Sequence, residues 1–192
     1  MQCIQKLFEG LFLIRKQKYF GEDVNIYLIE EDKRITLFDT PNYSDVLAEE
    51  LKSFNKEIIC ILSHGPSGTS DGEIWKKKLG VKFYLNKDDI NNRWLNMTPD
   101  ILFNNLSISK DYEVINTPGH TSGSVCIYHS VSKSLLTGDS LLVNNEIPEI
   151  YINTQILETL LKYDFKNLLP LHYSYILDNG KTIIKSKTIK IV

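Results

Sequence analysis

The stretch Thr117-Pro118-Gly119-His120-Thr121-Ser122-Gly123-Ser124 places a histidine between two glycines, directly after an apolar segment. That segment, residues 112–115, has the aromatic and β-branched residues typical of a strand. The proline and glycine that follow favour a turn, and Gly119 allows a tight turn that aims the next side chain. His120 is therefore predicted to lie in a loop at the end of a strand, where functional residues concentrate.

Three other residues with metal-binding side chains also follow predicted strands. They are His64 after residues 58–62, Asp139 after residues 134–136, and His172 shortly after residues 167–169. Loops at the same edge of a sheet lie next to one another, so these side chains converge with His120 if their strands are neighbours. Imidazole and carboxylate groups are common ligands of zinc and iron, so the pattern predicts a metal site. The fourth histidine, His129, ends a strand in a turn-like segment, and we predict a surface position for it.

The rest of the pattern predicts strands first and alternating helices and strands afterwards. Predicted strands are residues 11–14, 24–29, 34–38, 58–62, 81–85, 112–115, 124–128, 134–136 and 167–169; predicted helices are 43–54, 70–80 and about 154–163. Ser70 and Glu73 have the spacing of a capping box at the start of the second helix. The Asn-rich segment 88–109 receives no assignment. The tail (182–184 and 188–192) is predicted to form one or two closing strands, which could also serve as the edge of a homodimer.

Composition predicts one globular domain spanning residues 1–192. Hydrophobic residues make up 42% and charged residues 24% of the 192 residues, which is enough for a full core. The net charge of −2 gives no general attraction for nucleic acid or for an anionic membrane. The run Lys76–Lys78 is predicted to be a solvated helix face.

The chain is predicted to be cytoplasmic. No apolar stretch approaches the roughly 20 residues needed to cross a bilayer, and the first residues lack the layout of a signal peptide. The three cysteines include no CxxC pair and are too few for a disulfide framework. We therefore expect a reduced protein that contacts neither membrane nor nucleic acid.

On these residues the chain resembles the metallo-β-lactamase fold superfamily, which includes glyoxalase II-like hydrolases. The segments that carry the resemblance are residues 25–29, 37–40, 117–124, 136–141 and 169–172. The order of these elements fits sheets covered by helices. The resemblance implies an α/β fold, a four-layer αββα sandwich with a metal site at one sheet edge.

The main ligand motif of this superfamily, His-x-His-x-Asp-His, is degenerate here. The corresponding segment is His64-Gly65-Pro66-Ser67-Gly68-Thr69, so Pro66, Gly68 and Thr69 replace the second histidine, the aspartate and the last histidine. Proline and glycine cannot donate a side-chain ligand, and a threonine hydroxyl is a poor substitute for imidazole. By the resemblance, the first metal position keeps His64 and His120, with Asp139 available, whereas the second keeps only Asp139 and His172.

Two further carboxylates lie near the predicted site. Asp71 could reach it if the loop carries a bulge, but a carboxylate in the first turn of a capped helix is already stabilised by the exposed N–H groups. Asp39 ends a strand and is expected to support a ligand or to shape a turn.

The resemblance, together with the ligand residues that remain, implies a mononuclear, metal-dependent hydrolase-like protein that acts on a small ester or thioester. One divalent ion, zinc or iron, would be held by His64, His120 and Asp139. His172 would be either a further ligand or a catalytic group that handles a proton. Two alternatives stay open: an enzyme like the mononuclear iron sulfur dioxygenases, and a metal-free, non-catalytic binding or scaffold protein.

Overall fold

The N-terminal part of the chain forms a seven-stranded sheet whose strands lie in sequence order. The computed structural model describes residues 2–144, 147–150, 152–186 and 190–191. The strands of this sheet are β1 (Ile4–Phe8), β2 (Leu11–Tyr19), β3 (Glu22–Glu30), β4 (Arg34–Phe38), β5 (Glu57–Ile61), β6 (Lys82–Asn86) and β7 (Ile101–Phe103). Neighbouring strands are antiparallel from β1 to β4 and parallel from β4 to β7. Two of the parallel connections carry the helices α1 (Asp45–Ser53) and α2 (Asp71–Leu79).

The C-terminal part forms a four-stranded sheet in the order β13-β10-β9-β8 and a small three-stranded sheet in the order β11-β12-β14. The strands are β8 (Tyr112–Asn116), β9 (Val125–His129), β10 (Ser134–Gly138), β11 (Leu141–Asn144), β12 (Ile147–Ile150), β13 (Asn167–Pro170) and β14 (Lys190–Ile191). The helices of this part are α3 (Thr154–Leu160) and α4 (Gly180–Ser186). None of the helices in the described part of the chain is long and apolar enough to span a membrane.

Three apolar clusters arrange these elements in layers. Leu51 of α1 and Trp75 of α2 pack on the outer face of the seven-stranded sheet. Leu160 of α3 and Ile184 of α4 pack on the outer face of the four-stranded sheet. The core between the two sheets contains Leu13, Tyr27, Phe38, Ile61, Val125, Ile127, Leu136 and Leu169. Each large side chain buried in this way contributes roughly 1.5–3 kcal/mol, so the helix–sheet–sheet–helix order follows from burying both faces of both sheets.

Two predictions of local structure, a strand over residues 182–184 and a capping box at Ser70, are wrong. Residues 182–184 lie in α4 and not in a strand, because helical backbone turns Ile184 into the cluster with Leu160. The predicted last strand is observed at Lys190–Ile191, whereas residues 187–189 and 192 lie outside the described residues. The capping box is also absent: Ser70 caps no N–H with its side chain, and the carboxylate of Glu73 accepts a hydrogen bond from the N–H of Thr98 instead.

Gly138 ends β10 directly before Asp139 and requires the absence of a side chain. Its φ of +52° lies in the left-handed region, and an added Cβ would lie 2.5 Å from Cβ of Ser63. The two strands that lead to His64 and Asp139 therefore approach each other closely at this point. Gly80, which ends α2, has a similar φ of +66°, but an added Cβ there would meet nothing within 4 Å.

We predict that Gly138→Ala destabilises the protein more than Gly80→Ala. Both substitutions put a side chain at positive φ, which costs about 1–2 kcal/mol. Only Gly138→Ala also overpacks against Ser63, for which we expect about 1–3 kcal/mol more. Urea unfolding of the two variants and the wild type measures both terms, and equal losses in the two variants would contradict the steric argument.

Candidate metal centre

All four predicted residues come together at one edge of the two sheets. His64 follows β5 of the seven-stranded sheet, and the other three lie in loops of the four-stranded sheet. Their imidazole Nε2 atoms surround a single carboxylate oxygen, Oδ2 of Asp139, at 3.5 Å for His64, 3.6 Å for His120 and 3.8 Å for His172. The predicted convergence of strand ends is therefore present in the fold.

Three of the four residues form a compact group. The ligand atoms of His64, His120 and Asp139 all lie within 4.8 Å of one another. The N···O separations of 3.5 and 3.6 Å are longer than ordinary hydrogen bonds. Two ligands at the usual Zn–N distance in a tetrahedral site lie about 3.4 Å apart, so these separations are close to those of atoms that share one ion.

Burial sets the protonation states of the group. It raises the pKa of Asp139 to about 7, and the charges of Asp39 and Glu22 act in the same direction. Burial also lowers the pKa of His64 well below its usual value, and it lowers the pKa of His120 and His172. Neutral imidazoles have a free nitrogen lone pair for a metal, which is the form that a ligand needs.

The carboxylate of Asp139 has an unmet requirement. Its side chain is 9% exposed, and Oδ1 has no hydrogen-bond partner among the described residues. A buried carboxylate without a partner is costly unless a cation compensates its charge. Together with the neutral imidazoles, this orphaned oxygen makes the centre a good fit for one divalent metal ion.

Neighbouring polar groups hold the His64 ring in place. Nδ1 of His64 lies 2.8 Å from the Ser63 hydroxyl, so Nε2 is the nitrogen that faces Asp139. The N–H of Ser63 in turn donates to Oδ1 of Asp39 at 2.6 Å. Asp39 is buried, has a φ of 76°, and therefore both shapes the end of β4 and supports a ligand loop, as expected from the sequence.

The loop that carries His172 is held by both sheets. The N–H of Leu171 donates to the carbonyl of Gly138, which precedes Asp139. From the other side, the side chains of Asn25 and Tyr27 donate to the carbonyl of Pro170 at 3.1 and 3.0 Å. Residues of β3 thus fix the position of His172 beside Asp139.

The second metal position of the superfamily is not preserved. An added Cβ at Gly68, where the motif has an aspartate, would lie 2.5 Å from Cδ1 of Leu95 and 3.1 Å from Cδ1 of Leu62. Leu95 therefore occupies the space that such a side chain needs. Thr69 contributes a buried hydroxyl that has no hydrogen-bond partner among the described residues. The residues present do not fit a second ion.

Asp71 does not join the centre. Its Oδ2 accepts a hydrogen bond from the N–H of Tyr43 at 3.0 Å, and it lies in the first turn of α2. This agrees with a structural role at the helix N-terminus.

The predicted surface position of His129 is wrong. His129 is only 1% exposed, and its Nδ1 lies 2.7 Å from the hydroxyl of Ser132. It is buried because β9 is flanked on both sides, so that His129 pairs with Tyr112 of β8 and Ser134 of β10. It ends β9, whereas His120 precedes the start of the same strand, so it lies away from the metal centre.

An open apolar groove adjoins His120. Phe20, Pro66, Trp94 and His120 line a cavity of about 360 Å³. Phe20 is 77% exposed and Trp94 50% exposed, and their rings meet edge to face at 6.4 Å. Neither aromatic residue is among the predicted site residues, because Trp94 lies in the unassigned segment and Phe20 in a hairpin turn. Gly21 after Phe20 is a signal for a turn, but nothing in the sequence indicates that the Phe20 ring lies beside Trp94.

Comparison with known proteins finds a similarity to the metallo-β-lactamase superfamily. The family model described as the metallo-beta-lactamase superfamily matches residues 98–184, a range that contains His120, Asp139 and His172 and begins after His64. The predicted resemblance and the predicted α/β fold are therefore confirmed.

Solved structures extend the likeness over nearly the whole chain. A metallo-beta-lactamase from Hirschia baltica has a TM-score of 0.73 at 19% identity over 95% of this chain and 94% of its own. One from Pontibacter korlensis has a TM-score of 0.71 at 18% identity over 95% and 96%. The metallo-beta-lactamase FIM-1 from Pseudomonas aeruginosa, in its mono-zinc form, has a TM-score of 0.69 at 12% identity over 95% and 91%. No curated protein is similar to the sequence at a significant level.

We predict that Asp139→Asn makes the metal-free protein more stable than the wild type, increasingly so at higher pH. Between its unfolded pKa near 3.8 and its folded pKa of about 7, Asp139 keeps a proton in the folded state that the unfolded state releases. Stability from this group is therefore lost as the pH rises towards 7, whereas asparagine does not titrate.

The difference in unfolding free energy between variant and wild type should grow by about 2 kcal/mol from pH 5 to pH 8. Urea unfolding in the presence of a chelator measures it. A difference that stays constant over this pH range would contradict the buried, unpartnered state of Asp139.

Proposed function

We propose that the protein is a mononuclear metal-dependent hydrolase that acts on a small ester or thioester. The observation that carries this proposal is the compact group of His64, His120 and Asp139 at a sheet edge, whose ligand atoms all lie within 4.8 Å. The mono-zinc form of the metallo-beta-lactamase FIM-1, which has a similar fold, offers a parallel.

Nε2 of His64, Nε2 of His120 and Oδ2 of Asp139 would hold a single ion, zinc or iron. A bound ion of this kind polarises a carbonyl oxygen and lowers the pKa of a bound water towards about 7. The chain contributes neutral imidazoles, a carboxylate whose Oδ1 accepts no hydrogen bond from the described residues, and the Ser63 contact that orients His64.

His172 is proposed as the group that accepts a proton. Its Nε2 lies 3.8 Å from Oδ2 of Asp139, yet it is outside the compact ligand group. Burial lowers its pKa, so Nε2 is free to take a proton at neutral pH. The carboxylate of Glu22, 4.0 Å from Nδ1, then stabilises the protonated ring.

The apolar groove suits the acyl part of a small substrate. Phe20 and Trp94 would cover an apolar chain beside His120 and exclude water from the reacting carbonyl. A cavity of about 360 Å³ favours a compact acyl group over a large one. The size of the cavity supports a small-molecule substrate. The three free cysteines suit a reduced setting, and we propose that this setting is the cytoplasm.

We predict one metal ion per chain and a strong dependence on His120. His120→Ala removes a proposed ligand and should weaken metal binding more than about 100-fold. The reason is that loss of a residue that only hydrogen-bonds to a ligand already costs about 10–100-fold in metal affinity. His129→Gln alters a buried histidine at the other end of β9 and serves as the matched control, with wild-type metal content. Elemental analysis after loading with zinc, manganese or iron(II) gives the stoichiometry.

Metal well below one per chain in the loaded wild type would exclude the hydrolase. It would favour the alternative of a metal-free binding or scaffold protein on this fold.

We predict that His172→Gln separates metal binding from turnover. The variant should bind metal within a few-fold of the wild type but lose about 10²–10⁴ in kcat, the usual contribution of a general base. Hydrolysis of thioesters, esters and lactones with short apolar acyl groups measures kcat. If metal binding is lost together with activity, His172 is a ligand and not a proton acceptor.

A second candidate is an iron oxygenase that acts on a small sulfur compound. Two histidines and one carboxylate, the group observed here, form the type of triad that holds non-haem iron(II) with open positions for dioxygen. Anaerobic reconstitution with iron(II), followed by oxygen-electrode measurements with persulfides, tests it. Oxygen uptake without thioester hydrolysis would select this function over the hydrolase.

A further inference from the structure

A buried carboxylate lies between the loops of two proposed ligands. Asp89 belongs to the segment that the sequence left unassigned, and it ends a short 3-10 turn (Lys87–Asp89) directly after β6. It is only 2% exposed. Its position at the edge of the sheet brings it between the loop after β5 and the loop between β8 and β9.

Three hydrogen bonds connect Asp89 to these two loops. Its Oδ2 accepts from the N–H of Gly65 at 2.7 Å and from the hydroxyl of Thr121 at 2.6 Å. Its Oδ1 accepts from the N–H of Gly123 at 2.9 Å. Gly65 directly follows His64, and Thr121 directly follows His120. One side chain therefore fixes the residues next to both imidazoles, which come from different sheets.

The close packing at Gly123 shows that the position of Asp89 is tightly set. An added Cβ at Gly123 would lie 2.8 Å from both Cβ and Cγ of Asp89 and 2.9 Å from its backbone nitrogen. Any side chain there would push Asp89 away from the two loops. The glycine thus permits the contact on which the spacing of the loops depends.

We propose that Asp89 is a positioning residue that sets the spacing of His64 and His120 for metal binding. This inference rests on the proposed function, because it assumes that these two imidazoles hold an ion. Asp89 itself does not reach the ion; it acts through the backbone of Gly65 and the side chain of Thr121. Its negative charge close to the centre also favours a cation there.

The test compares metal affinity in matched variants. Asp89→Asn keeps the shape of the side chain but turns one acceptor atom into an NH₂ donor, which must face an N–H or hydroxyl donor of one loop. We expect zinc and cobalt(II) to bind about 10–100-fold more weakly, measured by competition with a chromophoric chelator. We also expect a changed visible spectrum of the cobalt(II) form, which reports ligand geometry.

Glu50→Gln is the control. Glu50 also accepts two backbone N–H groups, from Cys3 and Ile4, but it connects β1 to α1, which carry no proposed ligand. This variant is expected to lose stability while it keeps wild-type metal affinity and the wild-type cobalt(II) spectrum. Thr121→Val, which removes a single hydroxyl donor, provides a second variant if Asp89→Asn does not fold, and it should weaken metal binding about tenfold.

The outcomes separate the two proposals. A wild type that binds metal, together with folded Asp89 and Thr121 variants of equal affinity and spectrum, overturns the positioning role alone. Weaker binding in the Glu50 control by the same factor also overturns it, since the effect would then follow general stability. A wild type that binds no metal overturns the proposed function and this inference with it.

Discussion

The site depends on the burial of one carboxylate, that of Asp139, which the described residues supply with too few hydrogen-bond donors. Three imidazole nitrogens approach Oδ2 of Asp139, and Oδ1 meets no donor among the described residues. Desolvation of this kind is unfavourable in the absence of a cation. The close approach of Gly138 to Ser63 and the hydrogen bonds to the His172 loop all serve to hold this arrangement. The buried Asp139 carboxylate therefore lowers the stability of the metal-free protein, and a bound cation would offset this cost.

The pattern of loss in the ligand motif has a topological explanation. By the resemblance, the three replaced ligand positions all belong to one short loop, residues 66–69, so changes in that loop affect both metal positions at once. The remaining candidate ligands follow four separate strands, β5, β8, β10 and β13, so a change in one loop does not displace the others. Leu95 packs against Gly68, so an aspartate side chain at position 68 would clash with Leu95. A group of three candidate ligands, His64, His120 and Asp139, therefore stays together although the motif loop has lost its other ligands.

The sequence predicts the fold class and the convergence of four side chains at one sheet edge, but not all of the local structure around them. His64, His120, Asp139 and His172 were recognisable because polar residues after apolar strands report on a shared sheet edge. Asp89 was not, since its partners lie 24 to 34 residues away in the chain and no local pattern marks such contacts. For the same reason, the helix over residues 182–184 could not be predicted: two adjacent isoleucines suit either backbone, and the packing of Ile184 against α3 decides between them.

The origin of the ligands in two different sheets has a mechanical consequence. His64 extends from the N-terminal sheet, whereas His120 and Asp139 extend from the C-terminal one. An ion shared by them would act as a crosslink between the two halves of the sandwich, in addition to the hydrogen bonds that already join them at this edge. The halves would then separate only after the ion is released, so cooperativity of unfolding, and with it resistance to proteolysis, would follow the supply of metal in the cell.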